Sequence, residues 1–181
     1  MLSITIPSAR FYNEDTGEFI YKSAVTLKLE HSLLSIRRWE SKWHKSFLDV
    51  SSKGMTMEEN MDYIRCMCID QNVEAETIQR MTRKNYEDII AYMNDPMTAT
   101  TVKDIKNRGP QKIITAEVLY AIMIEHGIPF ECEKWHLNQL LMLIRVCSAR
   151  NTPAKKQSKA ETAAYYDALN NARRKMTGSR G

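Results

Sequence analysis

Glycine and proline are scarce, six and five in 181 residues. That is too few for the closely spaced turns of a β-sandwich, so helices are favoured. No apolar run reaches the roughly 18–20 residues needed to cross a bilayer. The opening residues, MLSITIPSARFYNEDTGEF, have neither the basic start nor the long apolar block of a secretory signal. A cytoplasmic setting is therefore expected, with the four cysteines as reduced thiols. Also absent are GxSxG, a phosphate-cradling glycine loop and HExxH. A cysteine and a histidine elsewhere in a chain do not alone make a nucleophile and its base. The expected class is non-enzymatic, with no cofactor.

Hydrophobic residues make up 43% of the chain and charged residues 27%, an ordinary globular balance with enough chain for a real core. The net charge of +4 conceals an asymmetry. Residues 150–181 hold eight basic side chains against two acids, or +6, which leaves −2 for the rest. A nearly neutral body thus carries a basic tail, and the two need not bind the same partner.

The fold class expected is α+β, mostly α, in three parts. Residues 1–30 read as a β unit of about three strands. SITI alternates, RFYNEDTGEFIYK doubles back around Asp15-Thr16-Gly17, and VTLKL places Val25, Leu27 and Leu29 on one face. So small a unit needs the helices that follow to pack on. Residues 31–149 read as a helical core domain. Leu33, Leu34, Ile36, Trp39 and Trp43 line one helical face, and Thr56 with Glu59 has capping-box spacing. A short helix is expected around Ile78 and Met81, and another over NYEDIIAYM with Asn85 as its N-cap. Residues 94–112 are polar and broken by Pro96 and Gly109-Pro110. A helix from Thr115 to a stop at Gly127 follows, then one over 131–148 entered through Ile128-Pro129. Residues 150–181 read as the linker NTPAKKQ and a basic helix whose Ser158 and Glu161 have capping-box spacing.

The stretch PFECEKWHLNQLLMLIRVC, residues 129–147, tests for a metal site. Cys132 and His136 stand four apart on the expected helix, but structural zinc usually takes four ligands from closely spaced pairs. Cys66 and Cys68 would point to different sides of a helix, and Cys147 lies too far along. Buried thiols and a hydrogen-bonding histidine near a helix start are the better reading. Leu140 and Ile144 then belong to the core.

Seven of the eleven methionines (Met55, Met57, Met61, Met67, Met81, Met93, Met97) fall between residues 55 and 97. Methionine adapts to varied apolar partners as readily as it fills a core. Met57, Met61, Met67, Met81 and Met93 are accordingly candidate partner-binding residues. Arg173, Arg174 and Lys175 of the tail form a second candidate group, facing phosphates, a partner protein or solvent.

VTLKLEHSLLSIRRWESKWHKSFL, MTATTV, IITAEVLYAIMIEHGIPFECEKWHLNQLLMLIRVC and NNARRK together resemble a family of bacteriophage tail assembly chaperones, over about Val25 to Arg174. The resemblance implies a helper of long-tailed phages, acting in the host cytoplasm and absent from the mature virion. It would keep the apolar helices of the tape measure protein soluble and help to recruit the major tail protein. A homo-oligomer fits such a role; nucleic acid and membrane are not expected partners. A programmed frameshift often extends such chaperones, which would make the basic tail the junction region. In this light Trp39, Trp43 and Trp135 are expected as core contacts joining the first helix to the 131–148 helix, or else as parts of a client groove. Two rivals remain: a structural protein of the virion, and a nucleic-acid-binding module using the tail.

Overall fold

The computed structural model describes residues 1–14, 16–70, 73–100, 113–151 and 159–177, the last segment with side chains at 163–174 only. The fold is α+β and mainly helical, with four N-terminal strands. Met1–Ser148 forms one compact unit, strands and helices together, and Ala149–Gly181 a second. Ser158, half of the expected capping box, and the linker 152–158 lie outside the described residues, as does 101–112 of the polar break.

The β unit has four strands rather than about three, arranged as two antiparallel ribbons. β1 (Leu2–Ile6) pairs with β4 (Val25–Leu29), and β2 (Ala9–Asn13) pairs with β3 (Glu18–Lys22) as a hairpin between them in sequence. β1 and β4 alternate as a half-buried ribbon should: Ile4, Ile6, Leu27 and Leu29 are buried, while Ser3, Thr5, Thr26 and Lys28 face solvent. The ribbon is not left alone. Ile69 N–H donates to the Lys28 carbonyl and Glu30 N–H to the Met67 carbonyl, both at 2.9 Å, stitching β4 to the end of a helix.

That helix is α3 (Met57–Met67), opened by the Thr56–Glu59 capping box as expected. α1 (Leu33–Trp43) starts at Ser32, whose hydroxyl accepts from Ser35 N–H, and packs on α3 through tryptophan. Trp39 is fully buried, and its indole N–H donates to the Glu59 carbonyl at 3.1 Å. Trp43 is half-buried, stacks on Trp39 at 5.9 Å and donates to Asp62 at 2.9 Å. Both hold α1 to α3.

α2 (Phe47–Lys53), capped by Ser46, has no counterpart in the sequence reading. α4 (Ala75–Gln79) and α5 (Arg83–Asn94) follow. The N-cap of α5 is Thr82, not Asn85; Asn85 sits three residues inside as the returning half of a second capping box. α6 (Ala116–Glu125) starts after Thr115 and stops at Gly127 (φ 64°). Ile128 N–H reaches the Met123 carbonyl at 2.8 Å and Gly127 N–H the Ile124 carbonyl at 3.1 Å, a Schellman ending.

The expected helix over 131–148 is instead a 3-10 turn, Phe130–Lys134, and then α7 (Leu137–Asn151). The chain is extended at Trp135 (ψ 160°), which resets the helical register. Cys132 and His136 therefore point inward while Trp135, expected in the core, turns outward and is 42% exposed. Leu140 and Ile144 are core residues, as expected. α8 (Lys159–Thr177) lies in the second unit.

Glu40 is the least expected structural residue. It is buried in α1, and its two carboxylate oxygens accept from Phe47 N–H (2.8 Å) and Ala116 N–H (2.7 Å), the first amides of α2 and α6. One acid caps two helices that start 69 residues apart in sequence, meeting donors no backbone carbonyl reaches. Removing it strands both amides. Glu40→Ala is expected to cost about 2–4 kcal/mol of unfolding free energy, near the about 3–5 kcal/mol of Trp39→Ala, measured by urea denaturation.

Candidate partner-binding cleft

The five candidate methionines do not make one surface. Met57, at the first turn of α3, is 76% exposed, and Met61, one turn on, is half-buried. Both line an open cleft of about 590 Å³ between α3 and α4, together with Ala75 and Ile78. Met67 is corrected to the core: it is 1% exposed, because it closes the end of α3 against the β1–β4 ribbon. Met81 and Met93 are half-buried against the core, away from this cleft. Arg173 and Arg174 lie exposed on α8 in the second unit; Lys175 is in the same helix, its side chain not described.

Lys42, Glu58, Asp62, Arg65 and Gln79 supply the polar part of the cleft wall. A depression of about 390 Å³ continues from it, sharing Lys42, Asp62 and Arg65 and adding Arg38, Cys66 and Cys68. Asp62 is already committed, to the Lys42 ammonium and the Trp43 indole. Cys66 and Cys68 line the same depression, contrary to their expected divergence, because α3 ends at Met67 and Cys68 is extended (ψ 128°). Burial pushes both thiols up to about 11, so at neutral pH they are poor nucleophiles and poor metal ligands. Among the described residues no group of three or more His, Cys, Asp or Glu side chains is placed to hold a metal. None of the described helices is long and apolar enough to cross a membrane.

His136 is a hydrogen-bonding residue at a helix start, as expected, but the sequence reading missed His31 and the pairing of the two buried rings. His31 and His136 stack edge-to-face at 5.3 Å, and the His31 Nδ1 lies 2.5 Å from the Tyr63 hydroxyl. The His136 Nε2–H donates to the Tyr92 carbonyl at 3.0 Å, and its Nδ1 accepts the Asn138 amide at 3.3 Å, fixing a neutral tautomer at the start of α7. The Tyr92 hydroxyl donates to Glu30 at 2.6 Å, and the Met1 amine pairs with the other oxygen of Glu30 at 2.8 Å. Burial, and then the neighbouring imidazole, pulls the His31 pKa down to about 3. Burial also lowers His136. Neither ring lines the cleft. A signal for them did exist: His31 immediately precedes a Ser N-cap, and His136 opens a helix rather than continuing one.

Glu59 behaves oppositely. The Lys45 ammonium, the Thr56 amide and the Thr56 hydroxyl hold its carboxyl down to about 2.

Against known proteins, no family model, curated protein or solved structure matches this chain.

The titrations separate by window. A histidine whose pKa falls on folding binds more protons when unfolded, so its contribution is present above pH 6.5 and is lost as pH drops toward about 3. Glu59 loses its contribution only below 4.5, on the way to about 2. Unfolding free energy is therefore expected to fall between pH 7 and pH 5, and His31→Gln is expected to flatten that slope. Urea titrations at the two pH values check it; an unchanged slope would place the proton uptake elsewhere.

Proposed function

We propose that this chain is a non-enzymatic assembly helper that receives an apolar helical segment of a partner in the α3–α4 cleft. In the setting suggested by the resemblance to tail assembly chaperones, the client is the phage tape measure protein, and the major tail protein is recruited alongside. The observation that carries the reading is the pairing of exposed Met57 with Met61 and Ile78 in one open cleft. A flexible thioether rim over a fixed Ile78 adapts to side chains of differing shape. Two methionines one turn apart on a helix match the spacing at which an amphipathic helix presents its own apolar anchors. The charges around the rim, Lys42, Glu58, Asp62 and Arg65, are of both signs and would steer orientation more than strength.

Chaperone action needs such a surface to remain open in the folded protein, and here it does so above a body held by its own core. The raised thiols of the adjoining depression favour a binding over a catalytic role for the reactive groups nearest the cleft.

Co-expression with the tape measure protein tests the reading. Wild-type chain is expected to keep that protein soluble and to co-purify with it. Met57→Glu, at an exposed first-turn position where an acid suits the helix dipole, is expected to change stability by no more than about 0.5 kcal/mol. It is expected to weaken binding about tenfold or more. If the tape measure protein precipitates beside soluble wild-type chain, the helper role fails, and a structural place in the virion, checked by mass spectrometry of purified particles, takes precedence.

A further inference from the structure

The β2–β3 hairpin is apolar on both faces. Phe11, Tyr12, Phe19, Ile20 and Tyr21 are all exposed, from 40% at Phe11 to 70% at Tyr21. The register sets Phe11 opposite Ile20 on one face, and Arg10 opposite Tyr21 and Tyr12 opposite Phe19 on the other. The strands pair only with each other, so each keeps an outer edge without a strand neighbour among the described residues. A lone two-stranded ribbon is marginal in water, and an open edge is a template for another strand.

We propose that β2 is a docking edge for a second copy of this chain, two β2 strands pairing antiparallel about Phe11 to join two hairpins into one four-stranded sheet.

Self-complementarity selects this occupant. Centring the pairing on Phe11 sets Phe11 against Phe11 of the second copy, and each is already opposite its own Ile20. An unbroken apolar row, Ile20, Phe11, Phe11, Ile20, then crosses all four strands. On the other face Arg10 comes opposite Tyr12 of the second copy. Its guanidinium already lies 3.7 Å above the Phe19 ring and 5.2 Å from Tyr21, so a third ring joins the same cation. A parallel, in-register pairing would instead oppose Arg10 to Arg10, which the like charges disfavour.

Of the usual protections of an edge β2 has only one charge, Arg10, and that is already stacked over Phe19. It has no proline and no lysine, and its register runs without a bulge from Ala9 to Asn13. β3 is the poorer edge. Its Lys22 already pairs with Glu76 at 3.0 Å and Glu74 at 3.7 Å, and antiparallel pairing about Ile20 would bring Glu18 of the second copy to the same ammonium as a third acid. Five residues of ladder make a small contact, well below a standard-sized interface, so the pairing is to be sought at high protein concentration.

Disulfide trapping on the full chain tests the register. Directly opposed Cα atoms in an antiparallel pair lie about 4.5–5.5 Å apart, within disulfide reach. Phe11→Cys, oxidised mildly at high micromolar concentration, is expected to give a covalent dimer whose peptide map shows the two introduced thiols joined to each other. Ile20→Cys, with two strands between the equivalent positions, is expected to link at least fivefold less. An equimolar mixture of Arg10→Cys and Tyr12→Cys chains is expected to link across chains more than either does alone, which keeps the test alive should Phe11→Cys disturb its hairpin. Equal linking at positions 11 and 20, no cross-link at either pair of positions, or a sedimentation dimer without these links would each overturn the proposal.

Discussion

Three consecutive residues, Glu30, His31 and Ser32, turn the chain from β4 into α1, and α3, α5 and α7 are all fastened to that corner. Glu30 gives its amide to the Met67 carbonyl and its carboxylate accepts the Tyr92 hydroxyl. His31 meets the Tyr63 hydroxyl and offers its carbonyl to Leu137 N–H, while Ser32 caps α1 and bridges to His136. One corner thus receives the end of α3, the far part of α5 and the start of α7. Such a concentration of polar atoms in the core is tolerable only if each is paired, since an orphaned buried donor costs about 1–3 kcal/mol. Pairing is also directional. Apolar packing alone would let α3, α5 and α7 slide against the ribbon; the corner gives each a single register.

The cleft follows from that scaffold. α3 is fixed at its far end by the corner, near its middle by the Trp43 indole on Asp62, and at its start by the Trp39 indole on the Glu59 carbonyl and the Thr56–Glu59 box with Lys45. Its inward face is therefore settled as Glu59, Tyr63, Ile64 and Met67. Helical geometry then leaves Met57 and Met61 on the flank that α4 covers only in part. The openness of the cleft is a consequence of α4 being five residues long, too short to close it.

Much of this was legible in the sequence, for reasons that differ by element. β1 and β4 announce themselves by strict alternation, and Thr56–Glu59 and Gly127 by local chemistry that tertiary packing does not override. Asn85 was misplaced because Thr82 is also a good cap and the choice depends on which residue adopts extended backbone. Trp135 was misplaced because a helical period was carried through a 3-10 turn, whose three residues per turn break the count. Of the candidate site, composition located the methionine-rich third but not which methionines share a surface. Met67 and Met61 are six residues apart on one helix, and only the packing partner distinguishes them. Glu40 was illegible because its partners are distant, 76 residues separating it from Ala116, and of the histidines only the meeting of His31 with His136 was hidden in the same way. No local pattern encodes such a contact.

The hairpin stands apart from this scaffold. Its aromatic residues could have been polar without loss to the core, since none of them belongs to it. Apolar side chains on both faces of a two-stranded ribbon weaken solubility and contribute little to folding, so their value must be sought in association. Should two copies join there, each dimer would carry two α3–α4 clefts. If the α3–α4 cleft receives a client as proposed, one longer than the distance between the clefts would then bind the second as an intramolecular event. Effective concentrations in the millimolar range can raise avidity by about 10²–10⁴ without any new contact. Weak single clefts would suffice to hold a long apolar helical protein while still releasing it piece by piece, and release is what separates a helper from a component of the finished structure.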